Sequence, residues 1–145
     1  MIDPENFPEK QVQVLKDIYQ ICLGIKSNKD KYININKAHT TIGAAIFYGP
    51  HNREVQCQGT SLESIRTNEK VEDHVYSRNQ SGKFFMDHDF SSFEEFFDWY
   101  WTKASIFVYV TKEQNRRLKP FQMESYMADW KETYRKAGIK LISEI

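Results

Sequence analysis

The chain reads as an α+β fold: a small antiparallel sheet flanked by N- and C-terminal helices. Three observations predict it. Apolar residues recur at three- and four-residue steps near the N-terminus and again through an aromatic stretch. Short β-branched runs lie between the helical stretches. Ser or Thr followed three residues later by Glu or Gln marks several helix starts.

From Pro8 to Lys26 the pattern is helical, with Val12, Leu15, Ile18, Cys22 and Ile25 on one stripe. A polar connector, "KSNKDKYININKAH", follows. The run "TIGAAIFYG" (41–49) predicts a buried strand, closed by a Gly49-Pro50-His51-Asn52 turn, with "EVQCQ" pairing back as the other arm of a hairpin. Thr60 and Glu63 form a T-x-x-E box before a short helix, "SLESIRT". "KVEDHVY" (70–76) predicts a strand, followed by a loop holding Asn79, Ser81 and Gly82. Ser91 or Ser92 caps an amphipathic helix with Phe93, Phe96, Phe97 and Tyr100 on one face. That stripe is expected in the core, with an oligomer interface as the lesser alternative. "SIFVYV" (105–110) is a strand, and Thr111 with Gln114 opens the helix "KEQNRRLK", which Pro120 should stop. A last helix is expected from Met123 to Lys136, ending at Ala137-Gly138, with "IKLI" as a short edge strand.

The 145 residues predict one domain with a real hydrophobic core. With 40% hydrophobic and 28% charged residues, the composition is that of a globular chain rather than a disordered one. The formal net charge is zero, so no global positive field advertises a nucleic-acid partner. The basic residues are instead local: between 112 and 119 stand Lys112, Arg116, Arg117 and Lys119 against the single anion Glu113. Cys22 and Cys57 are far apart and form no CxxC pair, which argues against a cysteine zinc site or a disulfide framework. No apolar run is long enough for a spanning helix and no signal pattern opens the chain, so a cytoplasmic protein is expected. Phosphate-loop, deaminase and Gly-x-Ser-x-Gly signatures are absent.

One ordered set of residues carries chemistry. A strand ends in Asp73-His74, Arg78 follows in a polar loop, and a later strand leads directly into a helix bearing Asn115. Hydrolysis of a phosphodiester needs a base to activate water and a cation to neutralise charge in the transition state. An imidazole titrating near neutrality suits the first role. Asp73 and Asn115 offer hard oxygen donors of the kind Mg²⁺ takes while keeping its waters. Arg78, Lys112, Arg116, Arg117 and Lys119 are candidate phosphate contacts. The segment Asp87-His88-Asp89 is a rival metal cluster, read more simply as helix capping.

"EDHVYSRNQSG" followed by "IFVYVTKEQNRRL" resembles the ββα-metal (HNH, or His-Me finger) nuclease motif over about residues 70–120. Its tail, "VTKEQNRRLKPFQ", looks like small phage-encoded homing endonucleases. The resemblance implies a metal-dependent DNA endonuclease with His74 as general base, Asp73 and Asn115 as ligands of Mg²⁺ (or Mn²⁺), and Arg78 on phosphate. The family often carries an Asn before the second strand that braces the catalytic loop. Here Ser105 or Thr102 would have to take its place. The alternative is a non-catalytic nucleic-acid- or protein-binding module using the 112–119 helix and the aromatic helix at 91–104.

Overall fold

A computed structural model describes residues 1–122 and 129–142. Helices dominate it, around a three-stranded sheet, which makes the chain a small α+β fold. After a turn at Pro4–Asn6, helix α1 spans Glu9–Ser27 and buries Leu15, Ile18, Tyr19 and Cys22 along one stripe. The Cys22 thiol is pushed up to about 12 by burial, so it packs as an inert apolar group.

The next segment departs from expectation. Residues 41–49 form no strand; Ile35–Phe47 is a helix, α2, capped by Asn34, whose side chain accepts from the Asn36 N–H. Its buried positions, Ala38, His39, Ile42, Gly43 and Ile46, repeat with helical period. A short apolar run does not by itself distinguish a strand from a buried helix, and here the burial continues back to Ala38. With no strand at 41–49 there is no hairpin. The short helix α3, Arg53–Gln56, leads instead into strand β1, Cys57–Thr60.

Helix α4, Leu62–Thr67, is capped by Ser61 rather than by the Thr60–Glu63 pair, and ends on Asn68 in the left-handed region at φ 55°. Strand β2 is Val71–His74. Residues 78–87, expected as a loop, form helix α5 (Arg78–Asp87) behind a complete capping box between Ser77 and Gln80. Ser92 caps α6 (Phe93–Trp99), which continues as a π-helical turn through Tyr100–Ala104. Strand β3 is Phe107–Val110. Helix α7 runs from Lys112 through Pro120 to Gln122. Proline there removes only the bond to the Arg116 carbonyl, on the exposed side, and the helix survives it. Helix α8 is Trp130–Lys136, followed by Gly138 at φ +75°. The expected start of this last helix, from Met123, lies outside the described residues. The "IKLI" segment adds only an isolated bridge, Leu141 to Ser61.

The sheet order is β1-β3-β2. Strands β2 and β3 are antiparallel, with Asp73 opposite Val108 and His74 opposite Phe107. Strand β1 pairs parallel to β3, so the sheet is mixed rather than antiparallel. The side chains alternate between two cores. Val108, Val110 and Leu118 pack with Tyr134, Ile139 and Leu141 on one side. On the other, α1, α2, α5 and α6 enclose a core rich in aromatics. Phe96, Phe97 and Tyr100 are at most 1% exposed and Phe93 packs partly buried against the same cluster, so the aromatic stripe lies in the core.

Helices α2 and α5 cross at contact distance because two glycines permit it. A Cβ on Gly43 would run into the Arg78 backbone, and one on Gly82 into the His39 carbonyl. Gly24, in α1, faces open space. Gly43→Ala and Gly82→Ala should each lower stability by about 1–3 kcal/mol through forced separation of the helices. Gly24→Ala should raise it by up to about 1 kcal/mol through helix propensity. Urea denaturation of the three variants checks both signs.

Candidate functional site

The β3–α7 junction sets the site. Thr111 Oγ1 accepts from the Gln114 N–H (3.1 Å) and Gln114 Oε1 accepts from the Thr111 N–H (3.0 Å), so the expected box forms. The same Gln114 oxygen accepts from Ser61 Oγ at 2.6 Å, and Glu69 Oε1 accepts from the Lys112 N–H at 2.7 Å. Leu118 points into the core between α7 and the sheet. Asn115, Lys119 and Gln122, at i, i+4 and i+7, therefore share a flank of α7 that meets β2.

Beside β2 lies an open cleft of about 580 Å³, lined by Asp73, His74, Arg78, Asn115, Lys119 and Gln122 among others. Asp73 and His74 leave the strand on opposite faces. They reach one cleft because β2 is an edge strand, accessible from both sides. The structure thus brings together Asp73, His74, Arg78, Asn115 and Lys119. Lys112, Arg116 and Arg117, predicted as phosphate contacts with them, are exposed but do not line the cleft. Arg117 lies 3.8 Å from Glu113, one turn back. Residues one or two positions from Asn115 project away from the flank it occupies.

Asp73 is 4% exposed. Its Oδ2 accepts from Gln122 Nε2 at 2.7 Å and from the Tyr134 hydroxyl. Burial pushes its pKa up to about 6, against the opposing pull of Tyr134, Gln122 and the charge on Lys119. His74 lies against Phe47, ring centroids 4.5 Å apart, and against Phe107 at 6.2 Å. Burial, then the neighbouring His51 and Arg78, lowers its pKa to about 4. The imidazole is therefore neutral throughout the physiological range, not poised near neutrality as its type alone suggests. Arg78 opens α5, its guanidinium 3.8 Å from the Phe47 ring centre and 5.6 Å from that of Tyr48. Stacking orients the planar cation at the cleft wall and leaves its edge N–H groups to donate.

One carboxylate and one amide oxygen, as Asp73 and Asn115 supply, are a donor set that Mg²⁺ accepts. Among the described residues no hydrogen bond engages the Asn115 side chain, and none reaches Asp73 Oδ1. Above pH 6 the carboxyl is ionised, so the pair fits a hard divalent cation. No group of three His, Cys, Asp or Glu residues among those described could hold a metal ion. At Asp87-His88-Asp89, His88 ends α5 and meets Glu95 at 3.3 Å, while Asp89 pairs with Lys26 at 2.9 Å. That segment is structural.

Sequence reasoning did not find Gln122, Tyr134 or Phe47. Gln122 was visible as the i+7 partner of Asn115. Tyr134 and Phe47 carry no local signal, since each arrives from a helix distant in sequence. Neither Ser105 nor Thr102 braces the segment after His74: Ser105 Oγ donates to the Tyr100 carbonyl and Thr102 Oγ1 to the Asp98 carbonyl.

Comparisons with protein-family models, with curated proteins and with solved structures found no match to this chain.

The two shifted groups oppose each other in their effect on stability. Asp73 binds its proton more tightly folded (about 6) than unfolded (3.8), so its contribution falls as pH rises between those values. His74 binds its proton less tightly folded (about 4) than unfolded (6.5), so its contribution grows as pH rises from 4 to 6.5. Across pH 4–6 the two largely cancel. Asp73→Asn removes the first alone and should leave stability rising with pH over the His74 window by about 3 kcal/mol. Denaturant midpoints at pH 4.5 and 7 for wild type and variant test the sign; a flat profile in the variant overturns the His74 assignment.

Proposed function

We propose that the chain is a metal-dependent DNA endonuclease of the ββα-metal type, similar to small phage homing nucleases. What supports the reading is one observation: an antiparallel strand pair followed by a helix, with Asp73, His74, Arg78 and Asn115 around a single open cleft. Neutral His74 takes a proton from water on a ring nitrogen, and the water oxygen attacks phosphorus as the bond to the leaving sugar oxygen breaks. Arg78 and Lys119 hold the phosphate oxygens against the cleft wall, so the phosphodiester is oriented before attack. A divalent cation held by Asp73 and Asn115 would supply charge neutralisation at the phosphate and the leaving oxygen. Gln122 and Tyr134 fix the Asp73 carboxyl from behind.

The deciding experiment is plasmid cleavage with Mg²⁺ or Mn²⁺. His74→Ala should abolish cleavage while leaving fold and DNA affinity nearly intact, because a base acts on the barrier and affinity rests on phosphate contacts. Asp73→Asn and Asn115→Ala should each raise the metal concentration needed for activity. With metal limiting, the wild-type rate should fall as pH drops through about 6, where metal-free Asp73 takes up its proton, and saturating metal should move that limb to lower pH. An acid limb that does not shift with metal concentration contradicts the role given to Asp73.

A non-catalytic nucleic-acid-binding module is the second reading, favoured by the exposed cations that stand away from the cleft. The two separate by salt dependence. If the cleft holds the phosphates, Arg78→Gln with Lys119→Gln should flatten the slope of log affinity against log salt by about two units. Arg116→Gln with Arg117→Gln should then change it less. The reverse ranking in filter-binding titrations supports the simple binder.

A further inference from the structure

Behind the cleft, His74 also borders a small, partly open cavity of about 10 Å³, room for the centre of one water molecule. Its wall includes Ser81, from the second turn of α5. Ser81 is 2% exposed, and its Oγ makes no hydrogen bond. A buried hydroxyl without a partner costs about 1–3 kcal/mol, so the position favours a polar guest over none. The other hydroxyls around the cavity are already engaged. Ser105 Oγ donates to the Tyr100 carbonyl at 2.6 Å, and Tyr100 Oη donates to the Pro50 carbonyl at 2.8 Å. The Gln56 side chain spans the Asn52 N–H and the Pro50 carbonyl. Ser81, the Arg78 guanidinium and the imidazoles of His74 and His51 remain.

We propose that Ser81 is a positioning residue for His74, holding one ordered water between its Oγ and the imidazole. The water accepts the N–H on the cavity side of the ring and donates to Ser81 Oγ. In this polarity, with Ser81 Oγ as the acceptor, the nitrogen on the cleft side keeps its lone pair. A single water suffices because the ring is already clamped in position by Phe47 and Phe107 and lacks only a partner to choose between its nitrogens. Ser81 thus supplies the brace that Thr102 and Ser105 do not. The catalytic consequence rests on the reading of His74 as the general base, whereas the hydrogen-bond chain itself does not.

The test separates the two. Nitrogen-15 spectra of histidine-labelled wild-type protein at pH 7.5 should show one His74 tautomer. Water–protein cross-relaxation should reach the His74 ring and the Ser81 methylene from a water resident for longer than nanoseconds. In Ser81→Ala the His74 nitrogens should move toward the averaged shifts of a tautomer mixture. In cleavage assays kcat should fall by about tenfold at unchanged KM, short of the 10²–10⁴ that a general base contributes. Unchanged nitrogen shifts in a folded Ser81→Ala overturn the proposal, as does a wild-type ring of mixed tautomers without a long-lived water. Should the variant fail to fold, the wild-type spectra decide alone. If the wild type cleaves no DNA yet shows the single tautomer and the bound water, the nuclease reading falls and the Ser81 contact stands.

Discussion

The side chain of Gln114 is the tie on which the site depends. Its single oxygen accepts from the Thr111 N–H and from Ser61 Oγ, so it joins the start of α7 both to the end of β3 and to the β1–α4 corner. The group is buried, and a buried amide that lost these partners would carry its full desolvation cost. With that end pinned, Leu118 can only fall toward Val108 and Val110, and the flank holding Asn115, Lys119 and Gln122 must follow the edge strand. The direction of the helix is decided in its first turn, by hydrogen bonds, before the core decides its tilt.

A second constraint comes from the opposite side of the sheet. The Gly43–Arg78 and His39–Gly82 approaches bring α2 and α5 together at their backbones. Arg78 stands at the first position of α5 and Phe47 at the last position of α2, so the close crossing also delivers the guanidinium onto its aromatic platform. Phe47 shares itself between Arg78 and His74. The cation and the imidazole are thus registered to each other by one ring, and the cationic neighbour helps keep the imidazole neutral.

Legibility followed the range of the interactions. The helix at 9–27, the start of the helix at Lys112, the strands at 71–74 and 107–110, and the Thr111–Gln114 box were readable because period and capping act within a few residues, whereas the helix runs past Pro120, where it was expected to stop. The Ser77–Gln80 box was equally local, and the glycine and polar residues after it hid it behind a loop reading. "TIGAAIFYG" was misread because its composition fits either a strand or a buried helix, and only the tertiary crossing at Gly43 decides. The parallel pairing of β1 could not be read at all, since it depends on where α2 sends the chain. In the candidate site, the residues in chemical order on β2 and α7 were legible. Tyr134, the cavity behind His74 and the sign of the His74 shift were not, because burial is a property of the whole packed chain.

The environment of Asp73 carries a tension that the fold resolves by hydrogen bonding. A carboxylate at 4% exposure is costly to ionise, and desolvation is the largest influence on it. Tyr134 and Gln122 both donate to one oxygen, which favours the anion and confines the charge to a known direction. Lys119 adds a positive field from α7 without being within salt-bridge contact. The balance leaves the group protonated only below about pH 6, higher than a surface carboxyl and lower than burial alone would set. A buried apolar residue in its place would pack at less cost, and three groups from two helices would not then be needed to hold it. Among the described residues Oδ1 accepts no hydrogen bond and Asn115 lines the same cleft, an arrangement that supports the cation site proposed above.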